Sequence, residues 1–297
     1  MSFIKPKKLE LGNTIGIIAT SGALLGDPKR LQLAKNYFET LGYKIKISEK
    51  IFSQNRYLAG DDTVRVEELH KFFLDEEVDA IICLRGGYGT IRLLEKIDYS
   101  IINNNPKIFC GFSDVTVLNA IFLKNSDLIT YSAPMILSDF ASEKVDNATA
   151  ENFFKAVNGE KLEFDIREKY NSCDVKALFW GGNLSSLTSL CGIDFVPDEE
   201  FIFFTEDLNE PVYKIDKMFR QLLNISKFRA NLKAIVLGDF LSLDNELWFD
   251  ELIKEFSDEL KVPIVKAEGI THSSPKITLP YGEIARISDN KLIFERV

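Results

Sequence analysis

Histidine is nearly missing from this chain: 297 residues hold only two, His70 and His272. Histidine is the side chain best suited to moving protons near neutral pH, so histidine-dependent chemistry would have to rest on one of them. The cysteines are few and scattered: Cys83, Cys110, Cys173 and Cys191 form no CxxC pair. With two distant histidines they make a poor zinc ligand set, and no metal is expected. Three of the four sit in apolar runs and read as small buried hydrophobes, in keeping with a reducing compartment. Basic excess is also lacking: 36 Lys and Arg against 45 Asp and Glu leave a net charge of −9. Nucleic acid is therefore not expected as a partner, because little is available to neutralise phosphates. No apolar run reaches the length of a membrane span, and no apolar stretch follows the charged residues 5–8. A cytoplasmic protein without membrane association is expected. Internal repeats and low-complexity tracts are absent too.

What remains is ordinary globular composition, 45% hydrophobic and 27% charged, at a length that suggests about two domains. In the first half, short buried runs alternate with helical spacing. Residues 14–19 are a β-branched run ending in the turn-prone Thr20-Ser-Gly22. Asp27-Pro28 opens a helix with Leu31, Ala34, Phe38 and Leu41 on one face, and Gly42 stands where a terminating glycine belongs. A strand follows at 44–47, then the amphipathic helix that carries His70. Residues 79–84 are continuously apolar, as in a strand covered on both faces of a parallel sheet. They run into Arg85-Gly-Gly-Tyr-Gly89 and an expected helix over 90–97. Residues 107–110 repeat the pattern into Gly111-Phe-Ser-Asp114 and a helix over 115–123. Strand, tight turn and helix repeated in this way predict an open, mostly parallel α/β sheet with ligands at the carboxyl ends of its strands.

The fold class expected is α/β, with this N-terminal domain over 1–140. A polar linker region carrying a surface helix is expected over 141–175. A smaller C-terminal domain of mixed β-sheet and helices then covers 176–297. It is expected to hold strands at 201–205, 233–238 and 263–266, a helix with Val212, Ile215, Phe219 and Leu222 on one face, and a closing antiparallel set at 277–279, 284–287 and 291–295.

Four places carry possible chemistry, each with a plainer alternative. Ser113 sits on a sharp turn between strand and helix, which would lift its hydroxyl clear of the sheet beside N–H groups of the helix start; it also reads as a simple helix cap, and Val115 breaks the GxSxG form. Gly86 and Gly87 would let a backbone N–H approach a developing oxyanion, although glycines are common at such turns. Arg85 could bind a substrate carboxylate or make a structural pair. Glu206, at the end of a strand and followed by Asp207, could orient an imidazole or be a solvated charge where the chain leaves the core. His272 lies in a loop bounded by Pro275 and Pro280, whereas His70 lies on an ordinary helix.

Together and in this order, these segments resemble the LD-carboxypeptidase family of serine peptidases, which includes murein tetrapeptide carboxypeptidases and microcin C immunity peptidases. The matching stretches are residues 17–22, 79–94, 111–116, 181–184, 204–207 with Tyr213, and 272–282, nearly the whole chain. Arg-Gly-Gly-Tyr-Gly followed by Gly-x-Ser-Asp is the most specific part. The resemblance implies Ser113 as nucleophile, His272 as general base and Glu206 as its orienting carboxylate, at the interface of the two domains. It implies an oxyanion hole from the backbone of Asp114 and of the Gly86/Gly87 turn, no cofactor, and a homodimer. Arg85 and its neighbour Tyr88 are the substrate-binding candidates. The family often has His-Gly-Pro where this chain has Ser132-Ala-Pro134, so a contact made there by the imidazole is not expected here. The implied activity is release of terminal D-alanine from a muropeptide, the murein tetrapeptide, in cell-wall recycling. The alternative is an amidase of the microcin C immunity type acting on aminoacyl-nucleotide analogues, for which Trp180 is a candidate aromatic surface. A non-catalytic binding protein on the same scaffold is the third reading.

Overall fold

The computed structural model describes residues 3–171 and 174–295. The first half supplies β1 (Thr14–Ile18), β2 (Lys44–Ile47), β3 (Ala80–Cys83), β4 (Ile108–Cys110) and β5 (Thr130–Ser132). The second supplies β6 (Leu162–Tyr170), β7 (Val175–Asn183), β8 (Phe201–Leu208), β9 (Leu232–Leu241), β10 (Ile264–Ala267), β11 (Leu279–Tyr281), β12 (Ile284–Ser288) and β13 (Lys291–Phe294). Strands β1 to β5 form a parallel sheet in the order β5-β4-β3-β1-β2, and β11 adds to it antiparallel beside β5. The other seven strands close into a barrel, β10-β6-β13-β12-β7-β8-β9.

The continuous apolar runs of β1 and β3 are explained by burial on both faces. Ile15, Ile17, Ala80 and Ile82 join one core, which also takes the inner face of helix Lys29–Thr40 and continues into the barrel. Ile18, Ile81 and Cys83 face a second core, under helices Asp62–Leu74 and Thr116–Ser126. Gly16 is required on that face, since a Cβ there would lie 2.5 Å from the Phe72 ring. Helix Lys29–Thr40 starts and stops where expected: Asp27 Oδ1 accepts from Lys29 N–H at 2.9 Å, and Gly42 turns at φ 95°.

Three expectations change. Over residues 90–97 only a 3₁₀ turn forms, Thr90–Arg92, and the next helix is Tyr99–Asn104, capped by Asp98. The chain at Thr90 is tied to Asp114, whose carboxylate accepts from the Thr90 N–H and whose carbonyl accepts from the Thr90 hydroxyl. Residues 141–175 hold the expected helix, Asn147–Val157, but also β6, paired with β10 and β13 in the barrel. Of the closing antiparallel set, β12 and β13 form a hairpin as expected, whereas β11 leaves the barrel for the first sheet. Cys83 and Cys110 are fully buried and Cys191 half-buried; Cys173 lies outside the described residues.

Candidate active site

In the first sheet the strand order reverses between β1 and β3, and such a switch point opens a crevice at the carboxyl ends of the strands. Three turns meet there. After β1 comes Thr20-Ser-Gly22, after β3 Arg85-Gly-Gly-Tyr-Gly89, and after β4 Gly111-Phe-Ser-Asp114. Gly22 N–H donates to the Gly86 carbonyl at 3.3 Å. The Asp114 carboxylate accepts from Gly89 N–H at 3.3 Å and Thr90 N–H at 3.0 Å, tying the third turn to the second.

Ser113 starts the 3₁₀ turn Ser113–Val115 with φ 61°, a left-handed conformation that is strained for a residue with a side chain. The strain turns its side chain toward Gly86. A Cβ placed on Gly86 would lie 3.0 Å from Ser113 Cβ and 3.1 Å from Oγ. Among the described residues, the N–H groups of Gly86 and Gly87 donate to no protein acceptor.

β8 brings Glu206 to the same region from the barrel. Its carboxylate is buried, and Oε2 lies 2.5 Å from His272 Nδ1, across 66 residues of chain. The His272 ring packs edge-on against Phe112, with centroids 5.0 Å apart. His272 and the residue preceding Ser113 are thus in direct contact. The Ser113 hydroxyl itself makes no hydrogen bond to the ring, a bond that commonly tightens only when substrate is bound.

Arg85 is half-buried, and its Nε donates to the Gly86 carbonyl at 3.2 Å. Among the described residues its guanidinium has no carboxylate partner. Tyr88 is exposed and meets Tyr57 edge-on, centroids 5.8 Å apart. Ser132 ends β5 and lines a small cavity with Phe112, Glu206 and Lys276. Trp180 is fully buried among Phe195, Phe201, Phe203 and Phe228, so it offers no surface to a nucleobase.

Three supporting residues were given no role by the sequence reading, although two of them, Thr116 and Asn183, lie in the matching stretches. Arg65 is fully buried on helix Asp62–Leu74; Nη1 donates to the carbonyls of Thr20 at 2.6 Å and Gly89 at 2.9 Å, and Nη2 to Asp62 Oδ1 at 2.5 Å. Burial pulls its pKa down, and the Asp62 carboxylate opposes this. The one signal available was Asp62 three residues before an arginine on the helix's apolar face. Asn183, at the end of β7, donates from Nδ2 to Glu206 at 3.3 Å and Asp207 at 3.0 Å. Burial pushes the Asp207 carboxyl up, while the Leu208 and Ser185 N–H groups pull it back. Thr116 Oγ1 accepts from Asn183 N–H at 3.2 Å and stitches the turn after Ser113 to the barrel. Among the described residues, no group of three or more His, Cys, Asp or Glu could hold a metal ion, and no helix is long and apolar enough to cross a membrane.

Comparison with known proteins agrees over almost the full length. Residues 15–133 match the model of the LD-carboxypeptidase N-terminal domain, and residues 176–287 that of the C-terminal domain. A Bacillus subtilis protein named "Probable murein peptide carboxypeptidase" is 33% identical over 296 residues, covering 96% of this chain and 91% of that protein. The crystal structure of a muramoyltetrapeptide carboxypeptidase from Oxalobacter formigenes superposes with a TM-score of 0.83 at 28% identity, covering 95% of this chain and 97% of the other. That of an MccF-like protein from Bacillus anthracis gives a TM-score of 0.89 at 26% identity, covering 99% and 100%. This chain belongs to the LD-carboxypeptidase family and is a serine-type carboxypeptidase.

Proposed function

We propose that the enzyme hydrolyses the amide between the L-centre of the third residue of a murein tetrapeptide and its terminal D-alanine, with Ser113, His272 and Glu206 as a catalytic triad. The observation that carries the reading is the His272 Nδ1–Glu206 contact of 2.5 Å, made in the seam between sheet and barrel where Phe112 meets the ring. A carboxylate on Nδ1 fixes the tautomer that leaves Nε2 as the base. Ser113 attacks the amide carbonyl as His272 takes its proton. The tetrahedral oxyanion is met by N–H groups of Gly86, Gly87 and Asp114, one such donor being worth about 3 kcal/mol. His272 returns the proton to the departing amine of D-alanine, and water resolves the acyl-enzyme by the reverse sequence. Arg85, without a carboxylate partner beside this turn, is suited to hold the carboxylate of the leaving residue, and Tyr88 flanks it.

Mass spectrometry of a muropeptide mixture tests the reading. The enzyme is expected to convert tetrapeptides to tripeptides, and Ser113→Ala to lower that rate by at least about 10⁴-fold with the fold intact. Turnover retained by Ser113→Ala would remove Ser113 from the mechanism. Cleavage of an aminoacyl-sulfamoyl adenosine in place of the muropeptide would change the substrate and keep the triad.

A further inference from the structure

Behind the Glu206–His272 pair the chain buries a lysine. Lys276 stands four residues after His272 in the same loop and is 3% exposed. Its Nζ donates to Asp139 Oδ1 at 3.1 Å and lies 3.4 Å from the centre of the Phe112 ring. Asp139 is buried as well, and its Oδ2 accepts from Met135 N–H at 2.8 Å and the Ser138 hydroxyl at 2.5 Å. The Phe112 ring therefore touches both an ammonium and the His272 imidazole, and it immediately precedes Ser113.

The fold alone gives little reason for this charge. A buried ion pair is often no more stable than apolar side chains of the same volume, and a methionine would fill the space. The ammonium, however, shares a water-sized cavity with Glu206, Phe112 and Ser132. Burial pulls the lysine's pKa down, whereas the Asp139 carboxylate and, more weakly, that of Glu206 pull it up.

We infer that Lys276 is a positioning residue of the carboxypeptidase site: it clamps Phe112 between the nucleophile turn and the His272 loop. The inference rests on the proposed role of His272 as general base. The ammonium is tied to Asp139, in the turn after β5, and stands on the face of the Phe112 ring, while the same ring meets His272. Without the ammonium Phe112 loses the contact that fixes it to Asp139, and the imidazole and the Ser113 hydroxyl lose their register.

The test is steady-state kinetics on folded variants. Lys276→Met keeps the bulk but removes the cation from the Phe112 ring, and is expected to lower kcat by about 10-fold or more with KM within about twofold of the parent. Lys276→Arg, which keeps the charge and the bond to Asp139, is expected to restore most of the loss. A lysine that merely packs would lower stability and leave kcat in place; that result, in folded protein, overturns the inference. If Lys276→Met fails to fold, Asp139→Asn with Lys276→Met removes both buried charges and is expected to show the same loss of kcat. Failure of the proposed function would show separately, as turnover that survives Ser113→Ala.

Discussion

A single methyl group measures how tightly the site is assembled. Gly86 does not have a left-handed backbone, so alanine there meets no conformational penalty, but its Cβ would press on Ser113 at 3.0–3.1 Å and approach Met135 Cε at 3.5 Å. Ser113 has little room to yield, because φ 61° is held by the turn between β4 and the helix that follows. Gly86→Ala is therefore expected to cost about 1–2 kcal/mol of unfolding free energy. It should lower kcat/KM by about 10- to 100-fold, since sub-ångström misplacement of an attacking atom is costly. Chemical denaturation and steady-state kinetics on the same preparation would check the two halves of that expectation. Activity close to the parent would mean that the hydroxyl swings clear of the turn.

At the scale of the element, helix Asp62–Leu74 supports the turns of the site from behind. Arg65 reaches from its buried face to the carbonyls of Thr20 and Gly89, the ends of two of the three turns, and Asp62 is shared with Arg92 on the solvent side. Arg65→Met would leave those carbonyls without a donor and is expected to cost about 3 kcal/mol, read as a fall in the denaturation midpoint. Arg65→Lys should recover only part of the loss, because one ammonium nitrogen cannot stand in both places that Nη1 and Nη2 occupy. How legible such features were follows from the kind of signal each leaves. β1, β3, β4, β8 and β9 were readable because their apolar runs are unbroken, and the turns at Arg85 and Gly111 because glycine marks them. β6 was hidden: it alternates Leu162 and Phe164 inward with Glu163 and Asp165 outward, and such a charged, half-exposed strand resembles a linker. Arg65 and Lys276 were hidden for a related reason, since a charge at a buried position looks in sequence like a charge on a surface. The pairing of His272 with Glu206 follows from no local pattern and was implied only by the resemblance to the LD-carboxypeptidase family.

At the scale of the molecule, sheet and barrel are joined at Thr116 and Gly182. A Cβ on Gly182 would fall 2.5 Å from Thr116 Cγ2, and its φ of 120° suits glycine alone. Gly182→Ala is expected to cost about 3 kcal/mol, from backbone strain and overpacking together, and to reduce turnover by pushing β7 and its Asn183 away from the turn after Ser113. Urea denaturation would measure the first effect; a loss below about 0.5 kcal/mol would show that the joint yields easily. Asn183 links this joint to Glu206 and Asp207, so a shift at Thr116 is transmitted toward the imidazole.

The place of β11 also bears on how the protein is made. The outer edge of β5 is covered by residues 279–281, which follow the barrel strands β6 to β10 in the chain. As the polypeptide leaves the ribosome, that edge keeps its backbone groups open while some 150 residues are still being synthesised, and an open edge invites pairing with foreign strands. Completion of the first sheet is thus a late event in biogenesis, reached after most of the barrel has emerged.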